Sequence, residues 1–289
     1  MTRRGTVESI TVELGAAGLE SPRLEAERLV CMVLGVRRHE LFLDSGLRIG
    51  PAHAARLSGL VSRRVSGEPL QYIEGSTSFR ELELRVNSSV LVPRPETEQL
   101  VDHVADWVRA ERDGVPVECA LDVGTGSGAL ALALVSERLV RSVVALDVSE
   151  PALSVAGDNA RRLGLADRIQ LRQSGLDFWA EIGPEERFEL IVSNPPYVTD
   201  SELSTLPNDV RCHEPRVALA GGPDGLDVVR RLAAGAPDRL QPAGALFIEI
   251  GAKQGSAVRS LLKADDRWNE VRVRRDLSGQ DRFAVGVRR

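Results

Sequence analysis

From Ala120 to Gly128 the chain reads Ala120-Leu121-Asp122-Val123-Gly124-Thr125-Gly126-Ser127-Gly128. The first four residues form a short, mostly apolar run of strand length. Three alternating glycines follow, and glycine lets the backbone turn tightly and pass close to a ligand. A segment rich in Ala and Leu comes next and reads as a helix. Asp147 ends the following strand-like run, 23 residues after Gly124. A carboxylate in that place can accept hydrogen bonds from ribose hydroxyls. A nucleoside-containing cofactor is therefore expected, held by Gly124, Thr125, Gly126, Ser127, Gly128 and Asp147. The spacing is G-x-G-x-G rather than the G-x-G-x-x-G of dinucleotide sites. No Walker lysine follows, so binding of NTP phosphates is disfavoured.

Outward from this turn, strand-like runs recur at Val143-Val144-Ala145-Leu146, Ile169-Gln170-Leu171, Leu190-Ile191-Val192 and Ala245-Leu246-Phe247-Ile248. Helical segments near 129–138, 150–163 and 224–240 separate them. This alternation predicts an α/β fold with a mainly parallel sheet covered on both faces. Val271-Arg272-Val273 and Phe283-Ala284-Val285, joined by Asp276-Leu277-Ser278-Gly279, read as a further antiparallel pair at the edge.

Asn194-Pro195-Pro196-Tyr197 follows the Leu190-Ile191-Val192 run. Two prolines stop a strand, since neither can donate a ladder hydrogen bond. Asn194 is thus presented at a strand's carboxyl edge. Its side chain offers an acceptor oxygen and an NH2 donor, and the Pro195 carbonyl offers a second acceptor. Two acceptors set close together suit a planar NH2 group, with Tyr197 placed to cover its flat face.

The N-terminal 75 residues read as helical. Leu24, Leu29, Val30, Val33 and Leu34 recur at helical spacing after Ser21-Pro22, a cap and first-turn pair. A second helix is expected over 51–65, with Leu57, Leu60 and Val61 on one face. Residues 78–92 alternate, with Phe79, Leu82, Leu84, Val86 and Val90 punctuated by Asn87-Ser88-Ser89. They read as a β-hairpin, after which Glu96 or Thr97 begins a helix reaching about Arg109. The expected division is a helical domain over 1–75, a hairpin connector over 76–95 and a catalytic domain over 96–289.

The chain has 289 residues, 37 basic and 42 acidic, for a net charge of −5. That balance argues against a broad grip on nucleic-acid phosphates, and no direct sequence-specific nucleic-acid binding is expected. Cys31, Cys119 and Cys212 are scattered and form no C-x-x-C pair, so neither a disulfide framework nor a zinc site is supported. No apolar run is long enough to span a membrane and no signal core is present. A cytoplasmic, reduced setting and a monomeric state are expected.

The D-x-G-x-G-x-G form resembles the S-adenosyl-L-methionine loop of class I methyltransferases. Nearly the whole chain resembles the release factor glutamine methyltransferases of the PrmC/HemK family. Gly67-Glu68-Pro69-Leu70-Gln71-Tyr72-Ile73 is similar to the family's linker, and Leu91-Val92-Pro93-Arg94-Pro95-Glu96-Thr97-Glu98 to its hallmark loop. Glu214-Pro215-Arg216-Val217-Ala218-Leu219 and Gly221-Gly222-Pro223-Asp224-Gly225-Leu226 match its later signatures. The resemblance implies a Rossmann-like catalytic domain with an antiparallel C-terminal strand, and an N-terminal helical domain that docks the protein substrate. It also implies methylation of the glutamine amide in the Gly-Gly-Gln tripeptide of peptide chain release factors. Asn194, Pro195 and Tyr197 are then the catalytic group. Asn194, Pro195, Pro196, Tyr197 and Arg94 meet the substrate, and Leu176 and Asn194 also contact the cofactor. One departure stands out: Gly175 occupies the position where the family carries an acidic residue near the adenine, and Asp177 is the nearest substitute. Two enzymatic alternatives share the Asn-Pro-Pro-Tyr logic, a glutamine methyltransferase acting on a ribosomal protein and a nucleic-acid amino methyltransferase. A cofactor-binding scaffold is the non-enzymatic alternative.

Overall fold

The computed structural model describes all residues from Met1 to Arg289. By internal contacts the chain divides into two compact units, Met1–Gly75 with Pro207–His213, and Ser76–Leu206 with Glu214–Arg289.

The first unit contains α1 (Arg3–Ala16), α2 (Pro22–Leu34), α3 (Arg38–Leu43), α4 (Pro51–Val65) and α5 (Leu70–Glu74). Leu14, Leu29, Val30, Leu57 and Val61 are buried at its centre, as helical spacing requires. Pro22 opens α2 and Gly35, in the left-handed region, closes it, while Ser21 makes no side-chain cap bond. Two ionic groups are buried here with partners. Arg64 donates to Glu25 at 2.6 Å, and Glu27 accepts from Arg23 and Arg38. Unpaired, either charge would be costly in the interior.

The second unit opens with a two-stranded hairpin, β1 (Ser76–Phe79) and β2 (Leu82–Arg85), then α6 (Pro95–Glu111), β3 (Val117–Val123), α7 (Ala129–Ser136), β4 (Val140–Asp147), α8 (Glu150–Arg162), β5 (Ile169–Gln173) and β6 (Phe188–Ser193). A short helix, α9 (Asn208–His213), clusters with the first unit. Then come α10 (Asp227–Arg239), β7 (Leu240–Glu249), α11 (Gly255–Lys263), β8 (Trp268–Arg275) and β9 (Asp281–Arg288). The sheet order is β5-β4-β3-β6-β7-β9-β8. The strands are parallel through β7, and β9 runs antiparallel to both its neighbours. β9 therefore slots between β7 and β8, and β8 forms the edge.

Successive residues of each strand face opposite sides, and two cores result. Ala120, Leu190, Ala245 and Phe247 pack with Leu100, Val104, Leu132 and Leu134. Leu121, Ile191, Leu246 and Ile248 pack with Val229, Leu232, Val258 and Leu262.

The hairpin turn departs from the reading at Asn87-Ser88-Ser89. Pairing runs from Ser76↔Arg85 to Phe79↔Leu82, so the chain reverses at Arg80-Glu81. Arg80 takes φ +54°, and its guanidinium binds Glu137 at 2.6 Å and Asp102 at 2.5 Å. These partners offset a conformation that a non-glycine residue resists. Asn87 instead closes a local turn, its Oδ1 accepting from Ser89 N–H. α6 begins at Pro95 with Arg94 as its cap position, and Thr97 is a buried residue of its first turn.

After β6 the chain is clamped by the loop before α10. Val198 N–H donates to Leu219 O, Gly221 N–H to Val198 O, and Gln254 Nε2 to Tyr197 O. The fit is close: a Cβ added at Gly221 would stand 2.6 Å from Pro196 O, and one at Gly225 would stand 2.2 Å from Tyr197 O. Gly225 also has φ +75°, which favours glycine. Gly279 has φ +82° with nothing within 4 Å of an added Cβ. Gly279→Ala should therefore cost only the conformational term, about 1–2 kcal/mol. Gly225→Ala should cost about 1–3 kcal/mol more, from collision with backbone. Denaturant midpoints of the two variants check this, and equal losses would refute the clamp.

Candidate active site

β3, β4 and β6 end side by side, and their carboxyl ends open on a cavity of about 490 Å3. That volume lies within the roughly 300–1,000 Å3 typical of small-molecule sites. Val123, Gly124, Thr125, Gly126 and Ser127 line one wall, and Asp147, Val148 and Ser149 the next. Ser174, Gly175, Leu176 and Phe178 follow, and Asn194, Pro195 and Pro196, after β6, complete the lining.

The glycine turn is wrapped over the end of β4. Gly124 N–H and Thr125 N–H both donate to Leu146 O at 2.9 Å, and Gly126 N–H donates to Asp147 Oδ2 at 2.8 Å. The Thr125 hydroxyl turns inward and donates to Asp122 Oδ2 at 2.7 Å. From beneath, Asn159 Nδ2 donates to Ser127 O and Arg85 O, tying the turn to β2. Gly124 and Gly126 have positive φ, and a Cβ at either would meet nothing within 4 Å. The bare backbone therefore faces open space in the cavity, leaving room for a ligand to lie against it.

Asp147 accepts from Gly126 N–H and from Ser149 N–H, one bond per oxygen. Each oxygen retains a lone pair, enough for two vicinal hydroxyls. Burial pushes its carboxyl up, and the backbone N–H groups of Ser149, Gly126 and Val148 pull against this. A diol donating to it would relieve that desolvation. Val148 and Leu176 expose apolar surface at the cavity rim, suited to the face of a base. No lysine lines the cavity. The lining, which also carries Arg216 and Arg231, fits a nucleoside whose sugar meets Asp147.

Three residues expected at the site lie outside the cavity lining. Gly128 has φ +84° at the start of α7, where a Cβ would meet Leu132 Cδ1 at 3.0 Å and Ala156 Cβ at 3.3 Å. Its contribution is close packing of helix on helix. Arg94 is drawn away by Glu214: one guanidinium nitrogen bonds both carboxylate oxygens at 2.7 Å, joining the 91–98 loop to the 214–219 segment. Tyr197 turns its hydroxyl toward Glu249 Oε1 at 3.4 Å rather than over the cavity. Burial, then the nearby Glu249 charge, pushes its hydroxyl up to about 12, so it stays a neutral donor. Asp177 is exposed and does not line the cavity either, so it does not replace the acid absent at Gly175. Ser174, buried beside it, is the polar side chain on that wall.

Two residues beneath Asn194 belong to the site although their partners were not visible in sequence. Asn194 Nδ2 donates to Thr97 Oγ1 at 3.0 Å, and Thr97 donates to Glu249 Oε2 at 2.7 Å. Thr97 and Glu249 are 152 positions apart, so no spacing rule connects them. Burial pushes the Glu249 carboxyl up to about 7, opposed by the Thr97 hydroxyl and Arg282. The end-of-strand position after an apolar run, Phe247-Ile248-Glu249, was the available signal: an acid there must be paired or functional.

Residues 7–75 match the model of the PrmC N-terminal domain, and residues 108–208 that of the methyltransferase small domain. The chain is 41% identical over 289 residues to the release factor glutamine methyltransferase of Moorella thermoacetica, covering 100% of this chain and 99% of that one. It is 39% identical over 288 residues to that of Nitratidesulfovibrio vulgaris, covering 99% and 95%. Among solved structures, a methyltransferase from Pyrococcus furiosus superposes with a TM-score of 0.51 at 16% identity, over 81% of this chain and 98% of that one. The hMettl16 catalytic domain superposes with a TM-score of 0.56 at 14% identity, over 85% and 83%. These two share the α/β fold with a mainly parallel sheet expected from the strand–helix alternation. Two full-length relatives near 40% identity, with both domain models in chain order, settle kinship: the chain belongs to the release factor glutamine methyltransferase family.

Proposed function

We propose that this protein transfers a methyl group from S-adenosyl-L-methionine to the side-chain amide nitrogen of the glutamine in the Gly-Gly-Gln segment of a peptide chain release factor. The observation that carries this reading is the shared cavity. Gly124–Ser127 and Asp147 line it together with Asn194, Pro195 and Pro196, from the adjacent ends of β3, β4 and β6. The names of the full-length relatives support the choice of substrate. Bound against the turn, the cofactor supplies an electrophilic methyl group on a sulfonium. Asp147 holds the ribose hydroxyls, and the Gly124–Ser127 backbone holds the rest of the ligand close to β3.

An amide nitrogen is a weak nucleophile because its lone pair is delocalised into the carbonyl. Asn194 Oδ1 and Pro195 O accept its two hydrogens. This aims the nitrogen and favours the pyramidal form that carries the lone pair. Pro195 is buried and Asn194 half-buried, so the acceptors act with little competition from water. The prolines and the 219–226 clamp keep them in place, and positioning of this kind accounts for roughly 7–11 kcal/mol in well-oriented reactions. The proton leaves after transfer, when the nitrogen is cationic and acidic, so no side-chain base is required. Residues 1–75 dock the protein substrate in this reading; Phe42, Leu43 and Leu47 are exposed there. No helix is long and apolar enough to cross a membrane.

The direct test is incubation with methyl-labelled cofactor and purified release factor, followed by mass spectrometry. The label is expected on the glutamine side chain of Gly-Gly-Gln. Label on a ribosomal protein or on DNA, and none on release factor, would assign one of the alternatives. Asn194→Ala should leave cofactor binding measurable while lowering turnover by about 10²–10³-fold, the usual scale for removing one preorganised polar contact. Wild-type turnover in that variant would remove Asn194 from the chemistry. Asp147→Ala should weaken cofactor binding by about 1.5–3 kcal/mol, the range for hydrogen bonds to a charged group. Calorimetry reads this, and unchanged affinity would refute the ribose assignment.

A further inference from the structure

Thr97 has one hydroxyl proton and stands between two partners. Its oxygen is 2.7 Å from Glu249 Oε2 and 3.0 Å from Asn194 Nδ2. An ionised carboxylate has no proton to give, so the Thr97 proton goes to Glu249. The Thr97 oxygen is then left only as an acceptor. Asn194 must turn its NH2 inward to meet it, which leaves Oδ1 on the cavity side. Thr97 is 3% and Glu249 1% exposed, so water competes little for either group. Asn194 with no such neighbour would present either end of its amide, because O and NH2 are nearly equal in size.

We propose that Thr97 and Glu249 are positioning residues for methyl transfer: while Glu249 is ionised, they hold the Asn194 amide so that the substrate nitrogen meets an acceptor and not a donor. The inference rests on the reading of Asn194 as acceptor of the substrate's amide hydrogens. Glu249 is faced by Thr97 and Glu96 from α6, by Tyr197 from the loop after β6 and by Arg282 from β9. Should Glu249 gain a proton, it can donate to Thr97, and Thr97 can donate to Asn194 Oδ1. The amide then swings its NH2 into the cavity, where it opposes the substrate's own hydrogens. Turnover is therefore expected to fall on the acid side as Glu249 takes up a proton. Asp122, also pushed up to about 7 by burial, titrates in the same range. The signature is accordingly the difference in pH profile between wild type and a variant lacking the Thr97 hydroxyl.

The experiment measures kcat and KM for the full chain with release factor and S-adenosyl-L-methionine, from below to above neutrality. Thr97→Val, which frees the amide to take either orientation, should lower kcat by about a few-fold. Glu249→Gln, whose NH2 can donate to Thr97 and reverse the amide, should lower it on the order of 10²-fold, the scale of a misplaced reacting group, with KM for the cofactor held in both. Thr97→Ser should restore most of the rate lost in Thr97→Val. The part of the acid limb owed to Glu249 should be absent from Thr97→Val. Thr97→Val added to Asn194→Ala should cost nothing further, because residues acting through one another are not additive. Denaturant midpoints of each variant separate a loss of folding from a loss of positioning, and the near-isosteric Glu249→Gln and Thr97→Ser carry the test if Thr97→Val fails to fold. Wild-type kcat in both Thr97→Val and Glu249→Gln, with Asn194→Ala inactive, would overturn the positioning role alone. Full activity in Asn194→Ala would instead overturn the reading beneath it. A full, additive Thr97→Val loss in the Asn194→Ala background would show a role unrelated to Asn194 and also overturn the proposal.

Discussion

The Ser193 hydroxyl, fully buried at the last position of β6, donates to Val123 O at 2.7 Å. Ser193 is also the register partner of Val123 in the parallel ladder. This bond joins the residue before Asn194 to the residue before Gly124, and so couples the acceptor side of the cavity to the glycine turn. A parallel strand pair cannot slide by one residue without turning its buried side chains to the wrong face. Leu121 and Ile191 share one core and Ala120 and Leu190 the other, so the register at Ser193 is held from both sides of the sheet. The spacing between Asn194 and the glycine turn is thereby set by paired strands in the core of the sheet.

Rigidity beyond the strand end comes from backbone rather than side chains. Pro195 and Pro196 restrict φ, and the glycines at 221 and 225 let a second loop approach the carbonyls of Pro196 and Tyr197. The Gly-Gly-Pro-Asp-Gly segment is thus explained by close approach. Arg94 and Glu214 add an ion pair with a buried carboxylate between the loop before α6 and the segment that follows α9. Such a pair is informative about arrangement more than about stability, since desolvation offsets much of its Coulomb energy.

Three acids sit at or under the strand ends, Asp122, Asp147 and Glu249, and burial pushes all three upward. Their partners differ, and so do their tasks. Asp147 is met by backbone N–H groups and keeps lone pairs for a ligand. Asp122 accepts from the Thr125 hydroxyl, and the Ala131 backbone N–H also holds its carboxyl down against burial, under the turn it supports. Glu249 takes a hydroxyl proton and a phenol, and in doing so governs how its neighbours hydrogen-bond.

The parallel sheet, the glycine turn and the presentation of Asn194 could be read from residues alone, because each is encoded locally. Apolar runs of strand length, glycines at fixed spacing and a double proline act over a few positions. The turn of the β1–β2 hairpin could not, since Arg80 owes its left-handed backbone to Glu137 and Asp102 elsewhere in the unit. Nor could the turning of Tyr197 away from the cavity, or the chain from Asn194 through Thr97 to Glu249. Only the fold brings α6 and the end of β7 beneath the end of β6. A hydrogen bond has no sequence period when its partners lie on different elements, and the direction of its proton is decided by burial and charge, which exist only once the chain has packed.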